Sequence, residues 1–258
     1  MQDIAPCRTE ALGGQLSHCE PCQASHDSSH SCKHRHGPKC QTAPADVGLE
    51  HQKSVLLPVP HFMVTCTLPD ALRVLARSHQ QPLYILLRSA AEAIQALAMD
   101  RRCIGGRIGM GGALHTWTRD LRSHPHVHDI VTGGGLAGDG RWLPSRQDFL
   151  VHVQPLSVLF RATFQAQRKK TRLVPLVDAQ VWNQDWIVHG EPVGSGQEAF
   201  RYRAPYIFRV AISNHRILQR EAGNVTLQHK ELATAPTRYC TVSAEEFRRR
   251  FLAARPAG

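Results

Sequence analysis

Apolar and polar positions divide the chain into two regions. The first 40 residues carry few large apolar side chains, whereas from His61 onward apolar positions recur at strand and helix spacings. His61 to Thr67 (HFMVTCT) reads as a buried strand. Pro69-Asp70 opens a helical pattern through Leu72, Leu75 and Ala76, and a second pattern runs from Pro82 to Ala98. Ile108 to Trp117 is rich in glycine and ends in a strand-like run from Ala113. His124 to Thr132 (HPHVHDIVT) predicts another strand, and the stretch GGGLAGDG then leads into Arg141-Trp142-Leu143, completing a hairpin. Its three consecutive glycines are assigned to the turn, since neither a Lys-Ser/Thr pair nor a helix follows to make a phosphate cradle. Pro155 to Lys170 has the stripe of an amphipathic helix, and Trp186 to Val193 reads as a strand. A helix starts at Ser195 with capping-box spacing to Glu198, and Ser243 to Arg255 forms a last short helix. Without regular βαβ alternation, these elements predict an α+β domain with a central, largely antiparallel sheet and helices on one face.

Hydrophobic residues at 42% and charged residues at 20% exclude a disordered, collagen-like or coiled-coil chain. Lys and Arg number 31 against 21 Asp and Glu, a net charge of +10. This excess points to a polyanionic partner, because neutralising phosphates supplies most of the affinity in non-specific nucleic-acid binding. The chain has neither a basic start followed by an apolar run nor about 18 consecutive apolar residues, so a cytoplasmic protein without membrane attachment is expected.

Five of the eight cysteines (Cys7, Cys19, Cys22, Cys32, Cys40) and five histidines (His18, His26, His30, His34, His36) fall in the first 40 residues. In a reducing compartment clustered cysteines are metal ligands more often than disulfides. Cys19-x2-Cys22 can grip a tetrahedral Zn²⁺ from one turn, with Cys32, His36 and Cys40 supplying the remaining bonds and Cys7, His30 and His34 competing for them. A bound ion would replace the core that this segment cannot build. The isolated Cys66, Cys103 and Cys240 read as small core residues.

The sharpest chemical feature is His124-Pro125-His126-Val127-His128. On a strand His126 and His128 share a face with Val127 buried behind them, and two imidazoles so placed make most of a divalent-metal site. An antiparallel neighbour can deliver His115 as a third ligand. In Arg201-Tyr202-Arg203-Ala204-Pro205-Tyr206 the tyrosines stand four apart, on one face of a helix, so both hydroxyls can address one metal. A tyrosine hydroxyl is a poor nucleophile until a metal polarises the phosphate it attacks. Arg168, Lys169, Lys170, Arg201 and Arg203 are the expected DNA contacts.

Several ordered motifs then resemble one family. They are Cys-Arg-Thr-Glu-Ala-Leu-Gly-Gly (7–14), Ser-Cys-Lys-His-Arg-His-Gly-Pro-Lys-Cys-Gln (31–41), Phe-Met-Val-Thr-Cys-Thr-Leu-Pro-Asp (62–70), Leu-His-Thr-Trp (114–117), His-Pro-His-Val-His (124–128), Thr-Gly-Gly-Gly-Leu (132–136) and Arg-Val-Ala-Ile-Ser-Asn (209–214). Their order is similar to that in transposases of insertion-sequence family ninety-one, two-tyrosine HUH enzymes with an N-terminal zinc-binding domain. The resemblance implies rolling-circle transposition on single-stranded DNA. In it Tyr202 and Tyr206 match the nucleophiles, and His126 and His128 match the pair that holds Mg²⁺ or Mn²⁺. A structural Zn²⁺ is implied in the N-terminal module, and association with the bacterial nucleoid when bound to DNA. The chain is expected to divide into a zinc module (1–45), a linker (46–60), an HUH-type catalytic domain (61–225) and a C-terminal extension (226–258). It departs from the family pattern at Gly37, at Pro205 between the tyrosines and at Ile207-Phe208 after the second one. The resemblance also implies a copy that begins inside, and stops before, the family's usual limits. The competing expectation is a non-catalytic, zinc-dependent DNA-binding remnant.

Overall fold

Alternation of side chains along the strands builds a sheet with two chemically different faces. The computed structural model describes residues 7–32, 56–171, 178–196, 198, 212, 216–230 and 235–253. Near the N-terminus β1 (Gly14–His18) and β2 (Ser25–Ser29) pair as an antiparallel hairpin, exposed along nearly its whole length, as its polar sequence requires. The main sheet contains β3 (Pro60–Thr67), β4 (Arg107–Trp117), β5 (Ser123–Leu136), β6 (Trp142–Pro144) and β7 (Val188–Ser195). Its order is β4-β5-β3-β7, with β6 pairing the far end of β5, and every pairing is antiparallel.

Three helices, α1 (Asp70–Ser78), α2 (Gln81–Ala98) and α3 (Val153–Lys169), share one apolar core with the sheet. Pro82 in the first turn of α2 suits a position whose N–H has no intrahelical partner. Leu72, Leu86, Ala90, Ile94, Phe160 and Phe164 pack against Val64, Cys66, Val127 and Val131. Each fully buried large side chain contributes about 1.5–3 kcal/mol. Trp186 anchors α3 to the segment before β7: its indole N–H donates to the Val181 carbonyl at 3.0 Å, and Ser157 Oγ donates to its carbonyl at 2.6 Å. The antiparallel α+β architecture with helices on one face is therefore the one the sequence predicts.

Two assignments change. The glycine-rich start of β4 is strand throughout, and Gly133, Gly134 and Gly135 lie inside β5 rather than in the turn, which is formed by Ala137 to Gly140. Close packing is the reason. A Cβ on Gly134, where φ is +155°, would stand 2.5 Å from the Trp142 ring, and one on Gly135 would stand 2.7 Å from the Arg107 carbonyl oxygen.

The C-terminal segment forms a further unit, of which the sequence pattern reveals only the final helix. It comprises β8 (Ile217–Glu221), β9 (Asn224–His229), β10 (Arg238–Ser243) and α4 (Ala244–Ala253). Ala222 and Gly223, both at positive φ, form the two-residue turn between β8 and β9. Because β9 crosses residue 225, the expected domain boundary there cuts a strand. Among the described residues no helix is long and apolar enough to cross a membrane.

Candidate metal centre

β5 is an inner strand, and its alternation sets the site. Val127 is 0% exposed and belongs to the core, so His126 and His128 project to the face opposite the helices. His126 lies directly across from His115 on β4 and Thr67 on β3, and His128 across from Ala113 and Thr65. The ring centroids are 4.7 Å apart for His126 and His128, 5.0 Å for His115 and His128, and 5.3 Å for His115 and His126. One ligand nitrogen of each ring lies within 4.8 Å of the others.

Neighbouring acceptors orient two of these rings. His126 Nδ1 is 2.6 Å from the His124 carbonyl oxygen, and His128 Nδ1 is 2.9 Å from Thr65 Oγ1. The His124 carbonyl only accepts, so His126 Nδ1–H donates to it and leaves the lone pair on Nε2, the arrangement that a metal-binding imidazole requires; the Thr65 hydroxyl, as an acceptor, can set the same tautomer at His128. Burial pushes the His126 pKa below its ordinary value, opposed in part by the hydrogen bond to His124. Burial, reinforced by His126 and Arg73, lowers the His124 pKa to about 4. His126 is therefore neutral at pH 7 and can donate to an ion. The donor set fits a divalent cation, and imidazole nitrogens suit a first-row transition ion better than Mg²⁺, which prefers oxygen.

In the N-terminal hairpin Cys19 and Cys22 sit together at the tip. Their thiol contact, with the Ala24 N–H, brings the Cys22 thiol below its usual pKa. Cys32 lies at the other end. Its N–H donates to Cys7 Sγ at 3.4 Å, and the hairpin base is closed there by the bond from His30 N–H to the Gly13 carbonyl. A ladder five residues long, roughly 14 Å by strand rise, separates this end of the hairpin from the tip that carries Cys19 and Cys22. His36 and Cys40 lie outside the described residues, as do Tyr202, Tyr206, Arg201 and Arg203. The capping box that opens the tyrosine-bearing segment is present: Ser195 N–H donates to Glu198 Oε2 at 2.8 Å and Glu198 N–H to Ser195 Oγ at 3.4 Å.

One expected DNA contact is corrected. Arg168 is only 7% exposed, with its guanidinium 4.7 Å from the Trp182 ring centroid, so it packs against the aromatic cluster instead of presenting charge to solvent. Lys169 and Lys170 beside it are exposed. Cys66 is buried in the core, and burial, with the Asp129 carboxylate, pushes its thiol pKa up. Cys103 and Cys240 are half-buried. Sequence reasoning missed Thr65 and also Trp117, whose ring stacks on His115 at 5.5 Å. The only signal for Thr65 was its place on the polar phase of β3.

Residues 109–256 match the family described as "Putative transposase", and residues 1–68 match the transposase zinc-binding domain of insertion-sequence family ninety-one. The chain is 35% identical over 274 residues to "Putative transposase y4qJ" of Sinorhizobium fredii (strain NBRC 101917 / NGR234), an alignment covering 98% of this chain and 69% of that protein. It is 30% identical over 240 residues to the transposase for insertion sequence element IS801 of Pseudomonas savastanoi pv. phaseolicola, covering 82% of this chain and 55% of that protein. No solved structure matches. The match to a transposase family spans the strands that bear the histidine triad and follows the match to a transposase zinc-binding domain, which places the chain among DNA transposases. The chain belongs to the transposases of insertion-sequence family ninety-one.

Proposed function

We propose that this transposase nicks and rejoins single-stranded DNA at the ends of its element through a phosphotyrosine intermediate, in rolling-circle transposition. The observation that carries the reading is the convergence of His115, His126 and His128 on one sheet face, with His126 Nδ1 held by the His124 carbonyl and His128 Nδ1 by Thr65 Oγ1. His115, His126 and His128 would hold a divalent ion, Mn²⁺ in preference to Mg²⁺ on the donor set, which when bound would supply positive charge to polarise the scissile phosphate.

Tyr202 or Tyr206 is the nucleophile. Its Oη forms a bond to phosphorus, the P–O3′ bond breaks, and the phenolic proton ends on the departing oxygen. The products are a 5′ phosphotyrosine and a free 3′ hydroxyl. Attack by a 3′ hydroxyl on the phosphotyrosine reverses the exchange, so rejoining needs no nucleotide hydrolysis. Positioning and charge stabilisation supply most of the rate. Lys169, Lys170, Arg201 and Arg203 contact the phosphate backbone, and a structural Zn²⁺ in the N-terminal module is held by Cys19 and Cys22 with His36 and Cys40. The functional units are the zinc module, the linker up to residue 60, the HUH-type domain and the C-terminal unit, working at the bacterial nucleoid.

The test is a denaturing gel of purified protein, Mn²⁺ and labelled single-stranded DNA carrying the element ends. A protein–DNA adduct lost in Tyr202→Phe/Tyr206→Phe and in His126→Ala is expected. A folded protein that binds DNA without forming an adduct would overturn the reading and leave a zinc-dependent DNA-binding protein.

A further inference from the structure

His126 and His128 sit on an inner strand, but His115 sits on β4, at the edge of the sheet. The β4–β5 register also shifts just beyond it: His115 faces His126, yet Trp117 faces Ser123. Such a bulge alters the local twist, so the ladder alone fixes the direction of the His115 ring poorly. Trp117 supplies what the ladder does not. Its ring lies nearly parallel to His115, at 5.5 Å and 23°. It also packs against the second apolar cluster, built from Leu121 in the β4–β5 turn, Ile212, and Val225 and Leu227 of β9, with Phe247 and Phe251 of α4 around them. The turn itself is tied to the C-terminal unit at three points. Arg119 Nη1 donates to the Lys230 carbonyl at 3.1 Å, Arg250 Nη1 to the Asp120 carbonyl at 3.3 Å, and Arg216 to the Arg119 carbonyl.

We propose that Trp117 is a positioning residue for the metal centre: it holds the His115 imidazole in its converging orientation, and the β8–β10/α4 unit acts on the centre through it. The inference rests on the reading of the triad as a divalent-metal site and gives the C-terminal unit a task within that reading. The metal centre then depends on packing among Ile212, Val225, Leu227, Phe247 and Phe251, well beyond its own strands, and it assembles fully only when this unit is docked.

The test is Mn²⁺ affinity of the zinc-replete full chain, with free Mn²⁺ quantified by electron paramagnetic resonance and folding followed by circular dichroism. Trp117→Leu is expected to weaken binding about 10-fold or more, the range found when support of a ligand is lost. Trp117→Phe, which keeps an aromatic face, should stay within about threefold of the parent by the same scale. The decisive comparison is made in the His115→Ala background, where Trp117→Leu should weaken binding no further, because a residue acting through His115 is not additive with it. Phe247→Ala, which loosens the cluster from α4, should follow the same pattern and serves if Trp117→Leu does not fold. Parent affinity in the folded Trp117→Leu and Phe247→Ala proteins would overturn the proposal, as would an equal loss in the presence and absence of His115. If instead His126→Ala left Mn²⁺ binding unchanged, the reading of the triad as a metal site would be what failed.

Discussion

Thr65→Val tests the orientation of the metal centre without touching a ligand. Valine keeps the β-branched shape that suits a strand and exchanges the hydroxyl for a methyl group that cannot hydrogen-bond. That hydroxyl stands 2.9 Å from His128 Nδ1, on a half-buried residue of β3 directly across from His128. Without an acceptor there, the Nδ1–H tautomer loses its preference, and the lone pair is no longer fixed on Nε2. Loss of such an outer partner lowers metal affinity about 10- to 100-fold. This equals about 1.4–2.7 kcal/mol. Folding stability should fall by only about 1 kcal/mol, the net contribution of one hydrogen bond. Calorimetric titration with Mn²⁺ measures the affinity, and the ¹⁵N shifts of the His128 ring report its tautomer directly. Thr65→Ser, which restores an acceptor, should recover most of the affinity. If Thr65→Val bound Mn²⁺ within twofold of the parent and retained the Nδ1–H tautomer, the argument that Thr65 sets the His128 ring would be refuted.

Other expectations follow from the packing. Phe160 is fully buried with its ring edge-on to Trp186 at 5.1 Å, so Phe160→Ala should cost about 3–5 kcal/mol in urea unfolding; a loss below 1 kcal/mol would contradict its place in the core. Gly134→Ala should destabilise by more than about 1 kcal/mol, because φ is +155° and the new methyl meets the Trp142 ring, whereas Gly138→Ala, which meets nothing within 4 Å, should leave the melting temperature nearly unchanged. Burial lowers the His61 pKa in the folded chain. As pH falls below about 6.5 the unfolded chain takes up this proton first. Stability should therefore decline through that range, by at most about 1.4 kcal/mol per pH unit for one group, and His61→Gln should flatten the slope. An unchanged slope would show that His61 does not titrate differently on folding.

Much of the site was legible because strand geometry is local. The i, i+2 rule put His126 and His128 on one face and Val127 behind them, and the expected antiparallel neighbour brought His115 alongside. What local rules cannot carry is close approach between distant segments. Gly133 to Gly135 looked like a turn, but other backbone and the Trp142 ring press on them within the sheet. The C-terminal sheet escaped notice because its strands are short and largely exposed, with only Val225 and Leu227 buried in β9 to mark a core. Thr65 and Trp117 gain their importance solely from what lies across a ladder or against a ring. Arg168 read as the start of a basic run, yet the last turn of α3 points its guanidinium back over Trp182.

The proposed strand transfer requires that a tyrosine of this chain become covalently joined to DNA. Its most direct test is mass spectrometry of the protein after reaction with Mn²⁺ and single-stranded element ends, followed by nuclease and protease digestion. The account predicts a nucleotide phosphate on the peptide carrying Tyr202 and Tyr206, moved to the remaining tyrosine or lost in each single Phe variant and absent in His126→Ala. Cleaved DNA with free 5′ ends and no modified tyrosine, under the same conditions, would contradict it.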